Sequence, residues 1–207
     1  MTPDWQLDAT LLEAWRAGDA DAGSRVFERH AEAVARFFEN KLRDGSEDLI
    51  QVTFLRMVEG RERIREGIVF RAFILGIARN VFREHLRKLV KGREVDPEVD
   101  TMSSLVPGPS TMVGRSREQR LLLEGLRQLP MGYQTALELY YWEELDARQI
   151  ADIMDVSHSA MRSRLVKARE LLRDAMAKIA ESHELLASTL DGLERWASEL
   201  RHRVNNE

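Results

Sequence analysis

Residues 146–173, DARQIADIMDVSHSAMRSRLVKARELLR, read as two amphipathic helices joined by a tight turn. Asp146 stands where a side-chain oxygen caps a helix, and Gln149 stands where an amide returns to that cap. Asp155 and Val156 make the turn, and Ser157 caps the second helix. Met161, Leu165, Ala168 and Leu172 then recur at a 4-3-4 spacing, which gathers them into one core stripe. This is the helix-turn-helix unit, whose second helix offers its outer residues to base edges and phosphates in a DNA major groove. Those residues are Ser157, His158, Ser159, Arg162, Ser163, Arg164 and Lys167. A solvated amphipathic helix would also be polar there, but it would not by itself set a +4 block (156–178) directly after a −5 block (118–155).

Outward from this unit, nearly every segment keeps the 3.6-residue period and none alternates as a strand does. The fold class expected is all-α, with helices near 7–17, 20–41, 46–59, 68–91, 117–129, 131–143, 147–154, 158–178 and 182–204. Leu129-Pro130 ends one helix and opens the next, since proline suits a first turn but cannot continue a helix. Residues 92–116 hold three of the five prolines and three glycines without apolar period, so they read as a flexible linker. Two small helical domains result, 1–91 and 117–178, with a C-terminal helical extension over 179–207.

A formal charge of −4 over 207 residues conceals a segregation. Residues 61–93 carry +7, residues 156–178 carry +4, and every other segment is acidic. Affinity for a polyanion is local, so two basic blocks suit a chain that touches nucleic acid at two places. In the first block Arg79, Arg83 and Arg87 fall at i, i+4 and i+8, a like-charge ladder that costs a helix a few tenths of a kcal/mol per pair unless an anion meets it. Phe70, Phe73, Ile74, Ile77 and Val81 mark the buried face of that helix, leaving the ladder and Asn80 outside. On the helix over 46–59, Ile50, Phe54, Met57 and Val58 are the expected core, and Asp48 and Gln51 lie off it.

Other chemistries find little support. There is no cysteine, hence no disulfide or thiolate site, and His30, His85, His158, His183 and His202 lack metal-ligand spacing. No phosphate-binding glycine loop or activated nucleophile is recognisable, so neither an enzyme nor a cofactor is expected. No apolar run reaches the roughly 20 residues of a membrane span, and the N-terminus lacks signal-peptide features, which points to a cytoplasmic chain without membrane insertion.

Residues 119–173, from QRLLLEGLRQLP through QIADIM to KARELLR, resemble the fourth conserved region of bacterial sigma factors of the extracytoplasmic-function type. EDLIQVTFLRMV (47–58) and FRAFILGIARNVFREHLRK (70–88) are similar to the second sigma region, in the same order. The resemblance covers about residues 8–178 and implies a partner, core RNA polymerase, and promoter DNA as ligand. It implies that Asp48 and Gln51 face the polymerase clamp, and that the helix from Ser157 reads the −35 element as duplex. It further implies that Arg63, Arg65, Arg79, Asn80, Arg83, Arg87 and Lys88 melt and hold the −10 element, with a flipped base in the loop near 61–69. The acidic run EVDPEVD (94–100) would thread into the polymerase among basic residues. Departures from the family pattern are Phe73 for a common Trp, Val52 at an often acidic place, and Asp155 for a frequent turn glycine, which Asp replaces tolerably.

In the extension, Leu186, Leu190, Leu193, Ala197, Leu200 and Val204 form a heptad-like seam, expected to pack on the second domain or to serve an anti-sigma factor. The competing reading is a free-standing helix-turn-helix regulator that binds duplex operator without polymerase. It accounts for the second basic block and leaves the first unexplained.

Overall fold

The computed structural model describes residues 4–42, 44–64, 69–90, 96, 99–106, 115–193 and 195. The first domain contains α1 (Asp4–Arg16), α2 (Ala20–Glu39), α3 (Ser46–Gly60) and α4 (Phe70–Leu89). A short α5 (Met102–Leu105) precedes the second domain, which contains α6 (Arg117–Arg127), α7 (Met131–Tyr141), α8 (Ala147–Met154) and α9 (His158–Ile179). The extension begins as α10 (His183–Asp191), which packs on α6 and α9. Among the described residues there is no strand, and no helix is long and apolar enough to cross a membrane.

Asp19 caps α2 by accepting from the backbone N–H of Asp21 and Ala22 at 2.9 and 3.1 Å. That helix carries Val26, Val34, Phe37 and Phe38 into the first core, where α3 and α4 meet it. α1 is fixed on α2 by Asp8, a buried carboxylate accepting from Arg29 Nε at 2.7 Å and paired with His30 Nε2 at 3.0 Å. Burial alone would raise the Asp8 carboxyl, but the hydrogen bonds and charges of His30 and Arg29 outweigh it and hold it below the ordinary 3.8. A carboxylate lowered on folding stabilises above its unfolded value and loses that contribution as pH falls through the folded one. Asp8→Asn is therefore expected to cost about 1–3 kcal/mol near neutral pH in urea denaturation. The gap to the native chain should close as pH drops below the ordinary carboxylate value.

The core differs from the expected stripes in two helices. On α3, Leu49 and Thr53 are buried with Phe54 and Met57, while Val58 is 40% exposed and Ile50 only half-buried. The buried arc is rotated towards Leu49 because α2 and α4 approach from that side. On α4, Leu75, Ala78, Phe82 and Leu86 join Phe70, Ile74 and Val81, whereas Phe73 and Ile77 are half-buried. The wider arc follows from position: α2 and α3 cover this helix within its own domain, and α8 of the other domain packs across it. On α9 the stripe is as read, with Met161, Leu165, Ala168 and Leu172 all buried.

The segment read as a flexible linker includes an anchored piece. Thr101 caps α5 through the Ser104 N–H at 3.2 Å, and Met102 is fully buried. Met131 N–H donates to Asp100 O at 3.0 Å, and Arg127 donates to Met102 O at 3.3 Å. One buried methionine and a few carbonyls suffice to dock this stretch, and they leave no periodic trace in sequence.

Candidate nucleic-acid and polymerase interface

The helix-turn-helix is built by its caps. Asp146 accepts from the N–H groups of Arg148 and Gln149 at 2.8 and 2.9 Å, and Gln149 Oε1 accepts from Asp146 N–H at 2.8 Å. α8 ends at Asp155 with φ 56° and ψ 50°, the left-handed region that lets the chain reverse in so few residues. Ser157 Oγ then accepts from Ala160 N–H at 3.2 Å and opens α9. A β-branched residue at the left-handed position would be strained, so Asp155→Val is expected to lower stability by about 1–3 kcal/mol. Asp155→Gly should leave it near the native value, and thermal melts of both variants check this.

On α9, Ser157, His158, Ser159, Arg162, Ser163 and Lys167 are exposed together, next to a helix N-terminus suited to phosphate. Ser157 has its hydroxyl engaged in the cap, and Lys167 meets Glu170 at 3.1 Å in an exposed pair of small energetic weight. Arg164 lies partly inward, its guanidinium 5.6 Å from the Tyr133 ring. Val166, absent from the sequence-based set, is 58% exposed between Arg162 and Lys167. An apolar side chain left on the polar face of the helix was the available signal.

On α4, Asn80, Arg83, Arg87 and Lys88 are exposed. Arg79 differs from the expectation of an outward ladder: it is half-buried and donates to Ile153 O of α8 at 3.3 Å. Burial there, with the charges of Arg83 and Arg164 nearby, pushes its guanidinium below the usual arginine value. Ahead of α4, Arg16 anchors the turn over Arg61–Arg63 by donating to Arg61 O at 2.9 Å and to Ile64 O. The backbone of Arg63 lies in that turn, while Arg65 falls outside the described residues.

On α3, Asp48 and Gln51 are exposed in line with Val52 and Leu55, the last 59% exposed. Phe27 of α2 is also exposed, its ring 3.9 Å from that of the buried Phe54. Three exposed sets of residues result: a polar and basic face on α9, a basic face on α4 whose Arg79 lies near Arg164, and a mixed acidic and apolar face on α3.

The family described as Sigma-70 region 2 matches residues 26–92, and Sigma-70, region 4 matches residues 119–172. The chain is 30% identical over 171 residues to the RNA polymerase sigma factor CarQ of Myxococcus xanthus, covering 81% of this chain and 97% of that one. It is also 30% identical over 151 residues to the ECF RNA polymerase sigma factor SigM of Bacillus subtilis, covering 72% and 91%. The fold is similar to the sigma factor RpoE of Bartonella quintana, solved with the anti-sigma factor NepR, at a TM-score of 0.55 and 21% identity over 73% of this chain and 94% of that one. CnrH, solved with the cytosolic domain of CnrY, gives a TM-score of 0.56 and 19% identity over 86% and 99%. A capped helix-turn-helix, a basic helix in the other domain and a matching family region over each lead to one conclusion: the chain belongs to the extracytoplasmic-function sigma factors of the sigma-70 family, promoter-directing factors of transcription initiation.

Proposed function

We propose that the chain works in the cytoplasm, binds core RNA polymerase through α3, and assigns its two basic faces to two promoter elements. The observation that carries this is one basic helix face in each domain, each inside a matched sigma region. The domain from α6 to α9 reads the −35 element as duplex. Arg162, Ser163 and Lys167 supply contacts to base edges and phosphates, and Val166 supplies an apolar surface for a thymine methyl group. The domain from α1 to α4 melts and holds the −10 element. Arg79, Arg83, Arg87 and Lys88 neutralise phosphates, Asn80 offers an amide to a base edge, and the loop with Arg63 and Arg65 receives an unstacked base.

Asp48 and Gln51, with Val52 and Leu55 beside them on the exposed side of α3, form the polymerase contact, polar groups next to a small apolar patch. The chain carries out no covalent chemistry of its own. An anti-sigma protein is a further partner, of the kind bound by the two structural relatives. The acidic stretch ahead of α5 follows the polymerase's nucleic-acid path in the assembled complex.

The test is DNA binding with the polymerase varied. Labelled promoter duplex titrated with the chain alone, core alone and both together should show specific binding only for the pair. Strong sequence-specific binding by the chain alone, unaffected by core, would favour the free-standing regulator instead. Leu55→Ser should weaken core binding while leaving the fold intact, since Leu55 contributes little to the domain's own core.

A further inference from the structure

α3 has no basic residue in its last turn, so the carbonyls at its end have no positive partner within the helix. Arg16, the last residue of α1, supplies one from 45 residues away. Its Nε and Nη2 donate to Arg61 O at 3.2 and 2.9 Å, and Nη2 also donates to Ile64 O. The guanidinium therefore spans the turn from Arg61 to its close at Ile64, and the backbone of Arg63 lies between the two carbonyls it holds.

The neighbouring Trp15 completes the hold. The Arg61 guanidinium lies 5.5 Å from the Trp15 ring, and that ring sits so close on α2 that a β-carbon on Gly23 would come to 2.5 Å from Trp15 Nε1. Ile64 is itself buried, which ties the turn to the domain interior. α1 also reaches the far end of this segment. His30 Nε2 pairs with Asp8 of α1 at 3.0 Å, and the His30 ring is 4.9 Å from that of Phe70, the buried first residue of α4. One helix thus holds the chain where it leaves α3 and, through α2, where it enters α4.

Packing alone would be served by an apolar side chain at position 16. A planar fork spread over two backbone carbonyls does more, because it fixes their spacing and direction. We propose that Arg16 is a positioning residue for base selection at the −10 element: it fixes the backbone from which Arg63 meets an unstacked base, so that α1 sets how strictly that base is chosen. The inference rests on the sigma reading above, which gives this turn its place at the −10 element. An unstacked base must recover its lost contacts from groups already in place, and a wrong base is rejected through the polar groups it leaves unpaired. A turn free to shift would re-pair those groups and discriminate less.

Two variants separate positioning from bulk stability. Arg16→Lys keeps the charge but lacks the fork. Leu12→Ala weakens the packing of α1 through a buried side chain that has no donor for either carbonyl. Each full-length chain, with purified core polymerase, transcribes a template pool randomised over both promoter elements of a start site that the native chain uses. Arg16→Lys should lower base discrimination about 10-fold at one −10 position or more, and leave every −35 position within about 2-fold of native. Leu12→Ala should melt lower and keep the native preferences. In the free chain, hydrogen exchange of the amides over 60–64 should be about 10-fold faster in Arg16→Lys. Exchange at the native rate would show that the fork does not hold the turn and would overturn the proposal. Faster exchange with native base preferences overturns it too, as does an equal loss of discrimination in Leu12→Ala, which would make the effect one of stability. Failure of the sigma reading is told apart by the native chain itself, which would start no transcripts with core; the inference would fall with it, whatever the exchange rates.

Discussion

Replacing Arg79, Arg83 and Arg87 together with glutamine is expected to reduce open-complex formation about 100-fold while core polymerase binding is retained. About 1 kcal/mol for each lost charge-assisted contact to phosphate gives ~3 kcal/mol, and each 1.4 kcal/mol is a factor of ten. The salt dependence of promoter opening should weaken as well, by a log–log slope of about 2 for three phosphates on a single strand. Stability changes little. Removing the like charges relieves a few tenths of a kcal/mol per pair, but Arg79 also loses its hydrogen bond to Ile153 O, worth about 1 kcal/mol, so the variant should melt close to the native chain or slightly below it. A loss of opening together with a loss of core binding, or with unfolding, would remove α4 from the assigned role. Permanganate footprinting of melted thymines beside a core-binding titration separates these results.

The second large effect is expected at Leu172. This side chain is buried on α9 against α6, one turn before Met176, and its Cδ1 lies 3.3 Å from the place a β-carbon on Gly125 would take. With Leu122, Leu126, Leu137, Tyr141, Trp142 and Leu193 it lines a small apolar cleft, which Leu193 of the extension helps to close. Leu172→Ala leaves a cavity that such close-packed helices cannot fill, at a cost of about 2–5 kcal/mol. A domain of this size has little more than that to lose, so use of the −35 element should fail with it. Urea denaturation gives the number, and a change below about 1 kcal/mol would mean that α9 is held by something other than this packing. The same contacts place the start of the extension on the second domain, as the leucine seam led one to expect. Ala197, Leu200 and Val204 lie outside the described residues.

Local grammar was the most legible part. The Asp146 and Gln149 capping box, the left-handed Asp155 and the Ser157 cap are each decided within four residues, so the helix-turn-helix could be read directly. The stripe on α9 was equally plain, because one side of that helix faces the domain and the other faces solvent. α3 and α4 were less so. The spacing places Val58 in the core, where it is exposed, and gives no sign of the fully buried Leu86, because a helix packed on more than one side shows no single clean stripe. Contacts between domains left no trace at all. Arg36 and Glu143 are 107 residues apart, and Arg79 reaches across 74 residues to Ile153, distances over which periodicity says nothing. The two basic faces show in the sequence as charge blocks and Val166 as an apolar residue on a polar face, while Leu55 is hidden among helix positions that composition alone treats as ordinary.

The most direct measurement is start-site mapping by in vitro transcription, using purified bacterial core polymerase and a fragmented genomic library with and without this chain. The sigma account predicts new, defined start sites that arise only when the chain is added and that share two sequence elements upstream. The same transcript profile with and without it, under conditions where the chain binds core, would contradict that account.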